Sequence, residues 1–337
     1  EATAFDTPRF GETLAPEANP LLRELGVLNA LAAPGAHGFP GAVESPGTIS
    51  AWGSSVPQET DFVGNRRGSG RHVDRNAFDA LLCAAATDAG ARVLTETRVL
   101  RCTRGADGNW RVDISTAPRT ALCARFVIDA SGRNGFRLDG HGGRIVDDAL
   151  VGIFLRVGHH GAASGDVEGS SDLRTLVESA PDGWWYCAPL PSGETVAAFL
   201  TDPALYANDG VGLAEQLAQA PLTRARIGSG SIVESHVVHV PSSVRARAAG
   251  DGWAAAGDAA AAYDPLSGYG ITKALRDAGP LAEAVDRALG DDPTALGAYA
   301  DGVRRAFDAY AVQRRAYYAL ETRWAGRVFW KNRGARR

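Results

Sequence analysis

Apolar residues recur at helical spacing over 15–32, from a Pro opening to an Ala-Pro-Gly close. The same spacing returns in "DRNAFDALLCAAATDAGARV", where Asp74 is placed to cap the helix start and Gly90 to end it. Residues 33–70 are rich in Gly, Pro and Ser, with strand-like pieces at "TISAW" and "TDFV". "ARVLTETRVLRCTR" and "NWRVDIST" read as successive strands, and "LCARFVIDASGRNG" as a buried strand running into a Gly turn. From 149 to 240 the pattern becomes β-rich: "ALVGIFLRVG", "GWWYCAPLP", "ETVAAFLTD" and "SIVESHVVHV" predict an antiparallel sheet with one or two short helices. A strand, a Gly-rich turn and a long Ala/Leu helix follow from 253, and an amphipathic helical tail spans 292–325.

The architecture predicted is therefore an α/β part, interrupted by a β-sheet part and then resumed. At 337 residues, 45% of them hydrophobic, the chain can bury a sizeable core as one large domain or two interleaved ones. A formal charge of -4 gives no global attraction for nucleic acid or an anionic membrane. No apolar run is long enough to span a bilayer. Cys83, Cys102, Cys123 and Cys187 are widely spaced with no CxxC pair, so four buried, reduced thiols in a cytoplasmic protein are expected and no metal site. The two positively charged residue types are used unevenly: Lys occurs only at 273 and 331, and Arg elsewhere.

Candidate chemistry concentrates in "WAAAGDAAAAYDPLSGYGI", residues 253–271. A short apolar strand ends at Gly257 and Asp258, at the carboxyl edge where open α/β sheets bind ligands. Asp258 can accept hydrogen bonds from a ribityl or sugar hydroxyl. The alanines that follow leave room for a flat ligand. Pro265 fixes the backbone, and Gly268, Gly270 and Ile271 open a helix whose amides stabilise negative charge. A reduced flavin carries such charge along its N1–C2=O edge, so an isoalloxazine ring is the ligand these residues predict. Small residues at a strand–helix crossover that serve packing alone are the competing interpretation.

This series resembles the FAD-dependent monooxygenases of the hydroxybenzoate-hydroxylase fold, and within them the branch that contains the flavin halogenases. "FVIDASGRNG" (126–135) resembles the family's strand and turn, which places Asp129 and Gly132 near the cofactor. "RFGETLAPEANPLLRELG" (9–26) is similar to the stretch after the second Rossmann strand, and "RHVDRNAFDALL" (71–82) implies that Arg75 lies by the flavin's polar chain. The family's opening GxGxxG turn does not occur; Glu1 falls about where the ribose-binding acidic residue should stand, so a first βαβ segment is expected to precede it. The resemblance implies an FAD-binding domain over 1–35, 71–140 and 246–290, a substrate domain over 36–70 and 141–245, and a helical region over 291–337.

Halogenation in this family requires a Lys between flavin and substrate, and the region after "GETLAP" contains none. The family's Trp-x-Trp-x-Ile-Pro element is also altered here, to Trp184-Trp185-Tyr186-Cys187-Ala188-Pro189. Monooxygenation through a flavin hydroperoxide needs less of the protein, because the cofactor carries the hard chemistry. "GSGRHVDRNAFD", "SAWGS", "GWWYCAPLP" and "ALETRWAGRVFW" together resemble the flavoproteins that oxygenate a Trp in a partner protein to build a tryptophylquinone. The expected partner is accordingly a peptidyl Trp or a small aromatic molecule, with electrons from NAD(P)H or a separate flavin reductase. Candidate proton-handling residues are His72 and Glu12, and candidate substrate-lining residues are Trp185 and Tyr186. A halogenase, or a non-catalytic flavin-fold binding protein, is the alternative.

Overall fold

The computed structural model describes residues 1–32, 35, 39–116, 120–136, 143–159, 172–209, 212–290, 292 and 294–334. Its largest element is a seven-stranded sheet. In spatial order the strands are Ser231–His239, Val151–Gly158, Thr195–Thr201, Gly183–Pro189, Thr175–Ala180, Gly47–Ala51 and Gln58–Asp61. Every pair is antiparallel except Thr175–Ala180 with Gly47–Ala51, which run parallel. "TISAW" thus pairs on one side with its sequence neighbour Gln58–Asp61 and on the other with Thr175–Ala180, more than 100 residues away. Both faces of the sheet are covered. Ile153, Leu155, Trp185 and Phe199 face Leu213, Leu217, Leu222 and Ile227 of two short helices. Phe154, Trp184, Ala198 and Leu200 face the C-terminal aromatics Tyr318, Phe329 and Trp330.

The second unit is built on the strands Val127–Asp129 and Trp253–Ala255, paired in parallel, with Ala249–Gly250 beside them. The helices Gly270–Leu289 and Thr294–Ala319 supply its core through Leu281, Ala284, Leu296, Tyr299, Val303 and Phe307. Among the described residues no strand pairs with the free edge of Val127–Asp129, where Ile128 is 47% exposed. An apolar groove of about 210 Å³ runs along that edge, lined by Ile128, Ala274, Ala278, Leu281 and Tyr299.

Four expectations need correction. The 15–32 helix is two helices, Ala18–Glu24 and Leu28–Ala32, because Gly26 adopts the left-handed conformation (φ +74°) that ends the first. "LCARFVIDASG" is two strands in different sheets, Thr120–Ala124 and Val127–Asp129, and is only partly buried. The long tail helix stops at Ala319, and a separate helix, Val328–Gly334, carries the last aromatics. Of the cysteines only Cys102 and Cys187 are buried; Cys83 is half-buried and Cys123 exposed.

Candidate functional site

Two segments meet at the junction of the units. The first is the loop 8–12 and the strand Thr13–Leu14, which pairs with Gly70–His72. Arg75 fixes that loop by donating to the Phe10 carbonyl at 2.5 Å, while its Nε and Nη2 engage Asp79. Asp74 caps the Arg75–Asp88 helix by accepting from the Ala77 amide at 2.9 Å. The second segment is the turn 264–270. Asp264 Oδ1 accepts from the Leu266 amide, and Gly268 (φ +58°) ends the turn so that the long helix begins at Gly270. Phe10, Tyr186 and Leu266 pack on one apolar cluster, and Ile271 packs on the cluster of Leu14, Val73 and Phe78.

Glu12 is the unusual residue. It is 3% exposed, and its Oε2 has no hydrogen-bond partner. Burial raises its pKa, against the pull of backbone amides and Arg75. The backbone amides of Gly11 and Glu12 favour the ionised carboxyl, burial opposes it, and the residue lines a cleft together with Phe10, Arg75, Arg156, Leu190 and Val196. A buried carboxyl oxygen with no protein partner calls for one on a ligand.

Behind Glu12 runs a chain of hydroxyls. Tyr186 Oη lies 2.8 Å from Thr13 Oγ1, which lies 3.0 Å from His72 Nδ1. His72 Nε2 donates to the Leu173 carbonyl at 2.7 Å, so Nδ1 is the acceptor and the chain has a single direction. Burial raises the Tyr186 pKa well above its ordinary value, and the Glu12 charge adds to this. Burial also lowers His72 to about 4, with Arg226 opposing its protonation too. His72 is fully enclosed with both nitrogens committed; it orients Thr13 and does not reach a ligand.

The other expected residues divide by their partners. Gly132 (φ +80°), Gly268 and Gly270 each have open space where a side chain would project. Gly257 (φ +55°) would bring a Cβ to 3.5 Å from Ala274, an ordinary contact. Asp258 is half-exposed, with Oδ2 at 3.3 Å from Arg133 Nε. Pro265 is half-buried in the turn. Glu1 accepts from Arg9 at 2.9 Å and lies by Leu94. Asp129, expected near the cofactor, is committed to its own turn. Its side chain is 1% exposed and saturated by Ser131, Phe136 and Arg245, so it shapes the turn that carries Gly132. Trp185 is corrected: it is 0% exposed and packs on Phe199 under the short helices, on the face away from Glu12. Period-two alternation puts Tyr186 on the correct face and Trp185 on the wrong one.

No family model matches the chain. LodB of Marinomonas mediterranea, assigned as an FAD-dependent oxidoreductase, is 26% identical over 307 residues, covering 86% of this chain and 78% of LodB. CmlS, a flavin-dependent halogenase, superposes with a TM-score of 0.86 at 24% identity over 100% of this chain. The chain has the flavin-dependent halogenase fold. It spans 62% of the length of CmlS. QhpG, a peptidyl tryptophan dihydroxylase essential for tryptophylquinone cofactor biogenesis, superposes with a TM-score of 0.73 at 22% identity, over 97% of this chain and 71% of its own.

The residues present fit a flavin. Small residues leave the 264–270 turn uncovered, and the first amides of the 20-residue helix that begins at Gly270 have no partner within the helix. Among the described residues no cluster of His, Cys, Asp and Glu could hold a metal ion, and no helix is long and apolar enough to cross a membrane.

Two buried groups set opposing pH dependences of stability. His72 is depressed from 6.5 to about 4, so it favours the fold above pH 6.5 and withdraws on the order of 3 kcal/mol as the pH falls to 4. Asp148 is raised from 3.8 to about 6 by burial and the nearby Asp264, so its contribution has the opposite sign and a similar size. The urea midpoint should be nearly flat between pH 4 and 6. In Asp148→Asn it should fall on acidification through this window, and in His72→Asn it should fall as the pH rises.

Proposed function

We propose that this chain is an FAD-dependent oxidoreductase that oxygenates an electron-rich aromatic ring, with a Trp side chain of a partner protein as the substrate. The observation that carries the reading is the buried Glu12 carboxyl, its pKa raised by burial and its Oε2 without a protein partner, in a cleft lined by Phe10, Leu190 and Val196. When bound, the flavin supplies two-electron reduction and the activation of dioxygen. The chain's own residues do the rest. The amides that open the helix from Gly270 onward hold the anionic edge of the ring, and Asp258 is available to a ribityl hydroxyl. Phe10, Leu190 and Val196 exclude water on the substrate side. Glu12 Oε2 delivers a proton to the oxygen that leaves, and Tyr186 and Thr13 keep the carboxyl group oriented.

Oxygenation is favoured over halogenation by the lysines. Lys273 is 2% exposed, with Nζ at 3.1 Å from the Gly257 carbonyl and 3.3 Å from Asp277, and Lys331 stands exposed on the final helix. Neither lines the Glu12 cleft. Arg156 does, but guanidinium hardly releases its proton.

The test is product mass. With FAD, a flavin reductase with NADH, bromide and a Trp-containing peptide, the product should carry added oxygen and no bromine. A brominated peptide would contradict the proposal.

A further inference from the structure

The inference concerns the C-terminal helix Thr294–Ala319 and rests on the flavin reading of the 264–270 turn. Asp264, which organises that turn, is 1% exposed and gripped from the helix at two points. Tyr318 Oη donates to Asp264 Oδ2 at 2.8 Å, and the Asp264 amide donates to Tyr310 Oη at 2.6 Å. Each hydroxyl has a second partner in the substrate sheet or its extension. Trp184 Nε1 donates to Tyr318 Oη at 3.0 Å, and Tyr310 Oη is 2.9 Å from Ser242 Oγ. One helical turn beyond Tyr310, Arg314 bonds Ser242 Oγ at 2.7 Å, Asp147 at 2.6 Å and also Asp148. This anchors the helix to the segment that enters the sheet strand Val151–Gly158.

Trp184 and Tyr186 share one face of the strand Gly183–Pro189. The strand therefore touches the Glu12–Thr13 chain through Tyr186 and the turn through Trp184 and Tyr318. We propose that Tyr318 and Tyr310 are positioning residues: they lock the 264–268 turn in the conformation that receives the flavin edge and tie that turn to the substrate sheet through Trp184. Neither tyrosine touches the ligand. Packing alone does not account for the arrangement, since a core helix needs no paired hydroxyls whose donors and acceptors are all matched across three elements.

The experiment compares Tyr318→Phe, Trp184→Phe and a control, Phe329→Leu, which loosens the same aromatic cluster without touching the hydroxyl chain. Amide hydrogen exchange is followed at Leu266, Ser267 and Gly268, whose amides bond within the turn. Exchange there should rise about tenfold or more in Tyr318→Phe and by a smaller factor in Trp184→Phe, with the double variant no worse than Tyr318→Phe. Phe329→Leu should lower the melting temperature and leave those amides protected. Unchanged exchange in Tyr318→Phe, or equal acceleration in the control, would overturn the proposal. This readout needs no flavin, so it stands apart from the cofactor reading. An FAD titration of the same proteins then tests the link between the two: the dissociation constant should rise about tenfold in Tyr318→Phe and stay at the wild-type value in the control.

Discussion

Glu12→Gln should bind FAD as the wild type does and turn over about a hundredfold more slowly or worse. The substitution is nearly isosteric. Glutamine keeps an oxygen for the backbone amides of Gly11 and Glu12, and it is neutral, the form that burial favours. It lacks a proton that can be released. General acid catalysis contributes roughly 10²- to 10⁴-fold, and that contribution is what should vanish. Because burial disfavours the charged carboxylate, stability should hold or rise on the substitution. Single-turnover oxidation of reduced enzyme with a Trp-containing peptide measures the effect. Wild-type turnover in the variant would reduce Glu12 to a buried structural acid.

Gly270→Leu should abolish FAD binding and leave the protein folded. A side chain at this position meets nothing within 4 Å, and the glycine's φ is not positive, so leucine is accommodated without strain. Leucine is also the better helix former by roughly 0.5–1 kcal/mol. The melting temperature should hold or rise slightly. The new side chain, however, stands over the helix start, in the space assigned to the ring's N1–C2=O edge. A loss of more than a hundredfold in FAD affinity is expected by equilibrium titration. Gly268→Ala is the contrast: its φ of +58° makes the cost one of backbone strain, about 1 kcal/mol, with little obstruction of the ligand. Should Gly270→Leu bind FAD normally, the ring lies elsewhere.

The sequence revealed the turn more fully than the cleft. Asp264, Pro265, Gly268 and Gly270 could be read because a Pro-fixed turn and a helix start are local objects, written in consecutive residues. Asp74 was legible as a cap for the same reason. Tyr186 beside Glu12 is a long-range contact across 174 positions, which the strand's alternation narrowed to one of two faces and the neighbouring Trp residues did not resolve. A carboxylate at a strand end can serve either a ligand or its own turn, and at Asp129 the bonds from Ser131, Phe136 and Arg245 serve the turn. His72 was legible as a residue of the site but not as one sealed behind Thr13. The hold of Tyr310 and Tyr318 on Asp264 left no trace in the pattern, since aromatic residues at helical spacing look the same whether or not their hydroxyls are used.

The most direct test is the visible absorption spectrum of the full-length protein after incubation with FAD and removal of free cofactor. The account predicts a yellow protein with the two absorption bands of bound, oxidised flavin in stoichiometric amount, and a colourless Gly270→Leu variant prepared alongside it. A colourless wild-type protein that FAD cannot reconstitute would contradict it.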